Sequence, residues 1–227
     1  MWESVSDNPG GSRLELTLVP RFPARPVCEQ ESLETYIRQS ALQWRSNTFP
    51  RVEKGIISQH ESAVILQAGR PPLSIFEANI WGMVFYGTQI DGEHTTGTRG
   101  IHLYEFVGSV LIFVRQAAGL LQLLGYSGPV LIEATLASIR GVPWLYTQQG
   151  MWLESKAGSE LDDDVSFSIT TTTEELRERP NGIAMDLLRY VFFSVNWPEM
   201  VETPILEHVV RDGFTFNSWK QPEKLKV

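Results

Sequence analysis

Two charged residues on an apolar stretch are the first candidates for a functional site. Glu105 and Arg115 lie on a predicted helix whose other faces are mostly apolar. A buried charge is costly unless it is paired or hydrogen-bonded. Their spacing of ten residues corresponds to about 15 Å along a helix, so the two side chains cannot pair with each other. They either face solvent on a narrow polar stripe with His102, Gln116 and Gln122, or point into a pocket or a subunit interface.

Aromatic residues are the second group of candidates. Trp81 and Tyr86 lie in a region that we expect to be a β-meander. Most aromatic side chains belong to a core, but aromatics are also enriched in ligand clefts and partner interfaces. The candidate ligand or interface residues are therefore Trp81, Tyr86, His102, Glu105 and Arg115.

Motifs that mark known catalytic sites are missing from the sequence. It contains no G-x-G-x-x-G, no G-x-x-x-x-G-K-[ST] and no H-E-x-x-H. The run Gly125–Pro129 comes nearest to the G-x-S-x-G elbow of hydrolases, but proline stands where the elbow needs a small residue, and the run leads from helix to strand. We expect a turn there, and the motifs indicate no catalytic residue.

Metal and cofactor sites are not indicated either. Four histidines are scattered without ligand spacing: His60, His94, His102 and His208. The single cysteine, Cys28, can form neither an internal disulfide nor a zinc site, which is typical of a reducing compartment. The acidic run at 160–164 lacks the alternating pattern of a calcium loop. We therefore expect no metal and no cofactor.

The charge balance argues against two classes of partner. The formal net charge is −8 and no basic cluster is present, whereas nucleic-acid binders usually carry a basic face. We expect no direct nucleic-acid binding and no membrane association. Polar residues break the apolar stretch 101–124, so it falls short of the ~18 uninterrupted apolar residues of a membrane span. Without a recognisable signal peptide, the expected location is the cytoplasm.

Hydrophobic periodicity predicts an α+β fold. Alternating leucines at 14, 16 and 18 predict a first strand that stops at Pro20. Three short strands over 63–66, 73–77 and 82–89 are too closely connected for crossover helices and predict an antiparallel meander. Strands bunched in sequence favour a mostly antiparallel sheet with helices packed on it, rather than a doubly wound nucleotide fold.

Two long helices and one shorter helix complete the predicted fold. The main helix covers about 102–124, and because it is apolar nearly all round it is either buried or a self-association surface. Gly125 is its expected C-cap. The last long helix covers about 182–195, and a shorter amino-terminal helix covers about 29–45. Capping-box spacing from Thr171 to Glu174 and from Thr172 to Glu175 predicts a short helical turn that stops near Pro180. Residues 91–100 are expected to be a flexible loop.

The predicted domain organisation is a single α+β domain over 13–218. Residues 1–12 contain Asn8-Pro9-Gly10-Gly11 and are linker-like, so we expect either a chain cut from something longer or a ragged natural start. The charged end, 219–227, is expected to be a frayed tail.

Three segments, in order, carry a resemblance to a known family. They are the proline-rich run Leu14–Cys28, the aromatic meander Leu73–Tyr86 and the helix segment Leu103–Val107. Together they resemble the C-terminal region of bacterial proteins with an amino-terminal Schlafen/AlbA-like putative DNA-binding domain, over about 14–215. The resemblance implies an accessory region of a regulatory or defence protein. It transfers no residue roles, and the Schlafen/AlbA-like domain itself is not in this sequence.

These observations lead to a functional expectation. We expect a non-enzymatic sensor or protein-interaction domain that binds a small molecule or a protein, and a homodimer is one of the expected assemblies. The alternative is an enzyme of unfamiliar type, such as a hydrolase, with a site assembled from distant loops. A polar cleft with perturbed titratable groups would favour the enzyme, and an apolar pocket or flat apolar patch would favour the interaction domain.

Overall fold

Alternating apolar residues build the central strand of a large antiparallel sheet. In the computed structural model, Leu14, Leu16 and Leu18 are fully buried, while the residues between them are half-buried. The residues described are 11–44, 47–52, 56–60, 62–68, 74–93, 97–148, 151–155, 163–197 and 200. The predicted linker 1–12, apart from its last two residues, and the tail from 201 onward lie outside them.

The described elements follow one another along the chain. They are β1 (Arg13–Pro20), α1 (Gln30–Ser40), β2 (Leu42–Trp44), β3 (Asn47–Phe49), β4 (Ile56–His60), β5 (Ala63–Ala68), β6 (Ser74–Asn79), β7 (Val84–Gln89), β8 (Asp91–Glu93), β9 (Arg99–His102), α2 (Leu103–Leu123), β10 (Pro129–Ala137), β11 (Trp144–Gln148), β12 (Met151–Ser155), β13 (Val165–Thr172), α3 (Thr173–Glu178) and α4 (Pro180–Ser194).

Seven of these strands form one sheet in the order β13-β10-β1-β7-β6-β5-β4. Every neighbouring pair in it is antiparallel. Strands β4 to β7 are the expected meander with one strand added at its start. The predicted α+β class, with a mostly antiparallel sheet, two long helices and a shorter amino-terminal one, is confirmed.

Helix α2 is the centre of the core. It packs against α1, α3, α4 and β1, and Val110 and Leu121 are each only 1% exposed. It is long and apolar enough to cross a membrane by composition, but most of it is buried within the chain, as in a core helix. Of the two alternatives open for this helix, burial is therefore the correct one, and its apolar stripe is not available for self-association.

An aromatic cluster joins α2 to α4. Phe106 contacts Trp144 with ring centroids 5.2 Å apart and Phe192 at 6.0 Å, and Trp197 packs against both of these partners. Edge-to-face pairs of this kind add stability beyond the area that they bury. Because Trp144 lies on β11, the cluster fixes α2 and α4 relative to the sheet that contains β11.

Both predicted helix-end signals are present. Gly125 has φ +67°, and the amide of Tyr126 donates to the carbonyl of Leu121 as in a Schellman motif. The hydroxyl of Thr172 accepts from the amide of Glu175 and caps α3. Because these signals are local, the sequence could place them directly.

The prediction of a flexible loop over 91–100 was wrong at both ends of that range. Residues 91–93 and 99–100 belong to β8 and β9, which pair with each other and, through β11, form a four-stranded sheet in the order β12-β11-β9-β8. The parallel β9–β11 pairing joins residues far apart in sequence, so local composition did not reveal it. A Cβ at Gly100 would lie 2.6 Å from the carbonyl oxygen of Pro143, which is why this strand needs glycine.

The first helix is shorter than predicted. It ends at Ser40, because Ala41 is extended and the chain then forms the β2–β3 hairpin instead of continuing to residue 45. Ser12, the last residue of the predicted linker, is buried, and its hydroxyl donates to the carbonyl of Ser138.

Candidate ligand-binding site

A pocket of about 350 Å³ lies between the helix-facing side of the meander and the first turns of α2. The β2–β3 hairpin and the residues after it form a third wall. Its lining residues come from six strands or their flanks and from α2: Thr48, Phe49, Pro50, Arg51, Leu66, Gln67, Ala68, Ser74, Phe76, Tyr86, Thr88, Gln89, Ile90, Asp91, His102, Glu105 and Ser109. The volume is within the range of small-molecule sites.

Three aromatic rings form the apolar part of this pocket. Phe49 at the end of β3 packs edge-on against Tyr86 at 4.8 Å and against Phe76 at 6.1 Å between ring centroids. Phe76 and Tyr86 are cross-strand partners on β6 and β7. The hairpin is therefore attached to the meander by one buried aromatic side chain at the pocket wall.

A cluster of hydroxyl groups lies beside these rings. The phenol of Tyr86 is hydrogen-bonded by the side chains of Thr88 and Ser109, with the charges of Arg51 and Glu105 nearby. Burial raises the pKa of Tyr86, and the two hydroxyls and Arg51 only partly offset that effect. The phenol is therefore protonated at neutral pH and can donate a hydrogen bond to a ligand.

Charged groups from β8 and β9 lie at the pocket rim. The carboxylate of Asp91 is 2% exposed, forms an ion pair with Arg99 and accepts from Nε2 of Gln89 at 3.0 Å. His102 ends β9 and is the N-cap residue of α2. A Cβ at Gly92 would lie 3.1 Å from Nε2 of His102, so the glycine leaves room for the imidazole. Glu105 follows one turn later and is exposed toward the pocket mouth.

Three of the five candidate residues thus line one pocket, namely Tyr86, His102 and Glu105. Arg115 does not. It lies farther along α2, its Nε donates to Oδ1 of Asn181 at 2.7 Å, and burial lowers its pKa. It lines a separate, more open hollow with Arg177. Trp81 is at the β6–β7 turn, is 41% exposed and contributes to neither site.

The single polar stripe considered for α2 does not exist. Gln116 is fully buried and donates from Nε2 to the hydroxyl of Ser40 at 2.9 Å, whereas Gln122 is exposed. The polar residues of α2 therefore serve different purposes along its length. Those of the first turns face the pocket, and Gln116 ties α2 to α1.

The sequence reasoning missed several pocket residues. Ser109 could have been found, because it lies four residues after Glu105 and so on the same helix face. Thr88 could also have been found, since it is two residues after Tyr86 on a strand and shares its side of the sheet. Arg51 and Asp91 carry no such signal, because the hairpin and β8 bring them to the pocket only in three dimensions.

Two further observations bear on chemistry. Within the part of the chain that the structure describes, no group of three or more His, Cys, Asp or Glu side chains is arranged to hold a metal ion. Burial and, to a lesser extent, Glu29 raise the pKa of Cys28, which makes that thiol a poorer nucleophile.

Comparison of the chain with models of protein families, with curated proteins and with solved structures gave no match. The resemblance to the accessory region of Schlafen/AlbA-like proteins therefore stays a prediction.

Proposed function

We propose that this chain is a sensor domain that binds a small polar molecule, without converting it, in the pocket between the meander and the start of α2. The observation that carries the proposal is the convergence of three separate parts of the fold on one pocket of about 350 Å³. It offers aromatic rings on one side and hydroxyl, amide and charged groups on the other. Such a combination is typical of sites that hold a small molecule in one orientation.

Binding is favoured over catalysis by the state of the polar groups. A tyrosine phenol is protonated at neutral pH, and burial raises the pKa of Tyr86 further, so this group is a hydrogen-bond donor and a poor base or nucleophile. The carboxylate of Asp91 is already engaged by Arg99 and Gln89. Groups with a fixed protonation state and fixed hydrogen-bond partners can position a ligand and stabilise the local structure. An acid–base catalyst must instead exchange protons with its substrate.

The enzyme alternative is supported by one observation. His102 and Glu105 line the same cleft, and a histidine and a carboxylate near each other can provide acid–base catalysis. This alternative predicts that a bound ligand is chemically altered, and that the change depends on His102.

The position of the pocket suggests how binding is transmitted. A ligand that contacts the hairpin at Thr48–Arg51 and α2 at Glu105 and Ser109 links two elements that are far apart in sequence. Because α2 packs against α1, α3 and α4, an adjustment of its first turn would be passed to these three helices. The resemblance to an accessory region predicts that the recipient is a neighbouring domain.

The proposal is tested by thermal unfolding of the full chain with a panel of amino acids, nucleosides and monosaccharides. A ligand present at about 100 times its Kd stabilises by about 2.7 kcal/mol, which raises the Tm by roughly 2–4 °C per kcal/mol in a domain of this size. We expect such a shift with at least one compound class, and its loss in Ser109→Leu, which fills the pocket and removes a hydroxyl. Arg115→Gln, outside the pocket, is the matched control and keeps the shift.

Two results would decide against the proposal. If the compounds that stabilise the wild type stabilise Ser109→Leu equally, the binding site is elsewhere. If mass spectrometry recovers the stabilising compound in altered form, and His102→Gln abolishes the alteration, the chain is an enzyme.

A further inference from the structure

Strand β13 forms one edge of the seven-stranded sheet, and its properties point to a protein partner. Among the described residues it pairs only with β10. It is eight residues long, and its sequence, VSFSITTT, contains no charge and no proline. Sheet edges in monomeric proteins usually carry charged residues or proline, or are short or covered, because an open edge pairs with other strands. An unprotected edge of this length therefore indicates that another strand covers it.

The backbone groups available on this edge can be identified. The amide of Thr173 donates to the carbonyl of Gly128, and the carbonyl of Pro129 accepts from Arg21 on the opposite side of β10. Hydrogen bonding in an antiparallel ladder alternates along each strand. The backbone groups of Ser166, Ser168 and Thr170 therefore point away from β10, toward the open side.

The two faces of β13 differ in character. The side chains of Ser166, Ser168 and Thr170 are exposed on one face. On the other face, toward α4, Val165, Phe167 and Ile169 are only half-buried, which leaves apolar surface uncovered at the edge.

We propose that β13 is a homodimer interface, at which the same strand of a second copy of this chain pairs with it in antiparallel orientation. The residues whose backbone groups point outward on one strand must pair with the corresponding residues of the other strand. Two-fold pairing therefore places the hydroxyl-bearing residues opposite one another. It likewise places Val165, Phe167 and Ile169 in an apolar row. Cross-strand Ser–Thr and apolar pairs are both favourable, so the edge is complementary to itself.

The charged side chains on the α4 side of the edge balance one another, although the carboxylates of Asp164 and Glu133 also lie next to β13. On the α4 side, Arg179 forms ion pairs with Glu175 and Asp186, and Arg189 pairs with Asp186. Two positive and two negative side chains therefore cancel next to β13, although the whole chain carries −8. The more distant charges are screened over a Debye length of about 8 Å at physiological ionic strength.

An exposed aromatic residue extends the interface beyond the backbone. Tyr190 on α4 is 55% exposed and lines the same groove as Ile169 and Thr170. In a two-fold dimer the Tyr190 side chains of both copies flank the joined edges. Tyrosine is among the residues enriched at protein interfaces.

The oligomeric state of the full chain tests the proposal. Light scattering and sedimentation over a concentration series are expected to show a species of twice the 25.7 kDa chain mass. Ser168→Lys places like charges across the interface and is expected to give a folded monomer. Thr35→Lys adds the same charge on the exposed side of α1, at the other end of the sheet, and is expected to remain a dimer.

Oxidative cross-linking tests the pairing itself. Two registers keep the most residues paired, and they place either residue 168 or residue 169 on the two-fold axis. The residue on the axis faces its own copy, with the two Cα atoms about 4.5–5.5 Å apart, which is within disulfide range. One of Ser168→Cys and Ile169→Cys is therefore expected to give a covalent dimer. Glu133→Cys, exposed on β10 directly opposite Ser168, and the wild type with Cys28 alone are expected to give none.

Three results would overturn the proposal. One is a wild-type chain that stays monomeric at every concentration. Another is a dimer that Ser168→Lys does not dissociate and that neither edge cysteine cross-links, since another surface then forms it. The third is a monomer in which hydrogen exchange at Ser168 and Thr170 is slow, because a segment of the same chain then covers the edge.

Discussion

The two halves of the large sheet differ in how completely the helices fill the space above them. Over β13 and β10, the apolar stripe of α4 is buried without interruption, and Phe192 joins the aromatic cluster with Phe106 and Trp144. Over the meander, α1 packs against β5 and β6, while the polar first turns of α2 leave a pocket of about 350 Å³. Where apolar periodicity is continuous the core closes, and where Glu105 and Ser109 interrupt it a site remains.

The same contrast separates the two proposed functions. The meander half holds its site inside the fold, where side chains from distant segments meet. The β13 half has a closely packed interior, and the groups that it offers to a partner are the backbone amides and carbonyls along the β13 edge. A small molecule and a second chain would therefore act on opposite ends of one sheet, with α2 between them.

The largest expected effect is on the half of the sheet that α4 covers. Phe106→Ala removes a fully buried ring from the aromatic cluster, and we expect it to lower the free energy of unfolding by about 3–5 kcal/mol. Phe49→Ala, at the wall of the existing pocket, is expected to cost about 1–3 kcal/mol, because it widens an open space rather than creating a new one. Urea unfolding of both variants gives the comparison, and equal losses would mean that the two halves are packed alike.

Glycine at position 100 is the next test, because it controls the strand that leads to His102. A Cβ there would meet the Pro143 carbonyl at 2.6 Å and the Leu145 side chain at 2.7 Å. We expect Gly100→Ala to destabilise by about 1–3 kcal/mol through overpacking and to weaken ligand stabilisation by displacing β9. If the Tm of this variant matches that of the wild type, β9 does not approach β11 so closely.

A smaller effect of opposite sign is expected in the helix shared by both halves. A Cβ at Gly119 of α2 would lie 3.9 Å from the Cβ of Ser40, which is an ordinary van der Waals distance. Gly119→Ala is therefore expected to stabilise by about 0.4–1 kcal/mol through helix propensity and reduced unfolded-state entropy. Urea unfolding measures it, and destabilisation would show that α1 and α2 pack more tightly at this point.

The smallest effect at neutral pH, and the most specific to the pocket, concerns Tyr86. Burial raises the folded-state pKa of this phenol above its ordinary value of 10.0. The unfolded chain therefore loses this proton first as the pH rises, so the stabilisation is complete below pH 10 and is lost as the pH passes through the folded-state pKa. Tyr86→Phe is expected to lose less stability than the wild type between neutral pH and about pH 11.

Thr35→Ser is the control for this pH dependence. Thr35 is exposed on α1, carries no titratable group and leaves Tyr86 in place. The variant is expected to follow the wild-type curve of unfolding free energy against pH. A Tyr86→Phe curve that also coincides with the wild type would show that the phenol is solvated and the pocket wall is open.

Part of the candidate site was accessible to sequence reasoning, because charge within an apolar helix is a local signal. Glu105 and His102 were selected in this way, and Tyr86 was selected as an aromatic residue of the meander. The same reasoning also selected Arg115 and Trp81, which lie elsewhere. Periodicity shows that a polar residue is unusual at its position, but not which cavity it faces.

The sequence by itself determined the elements whose causes are local. Alternation along β1 and the meander, the stripes of α2 and α4, the Gly125 cap and the Thr172 cap all depend on residues within a few positions of one another. Only the tertiary structure decided that 91–93 and 99–102 are strands, that Arg51 and Asp91 line the same pocket as Tyr86, and that β13 is an edge. Each of these depends on contacts between segments far apart in the chain, and a single sequence does not specify which distant segments meet.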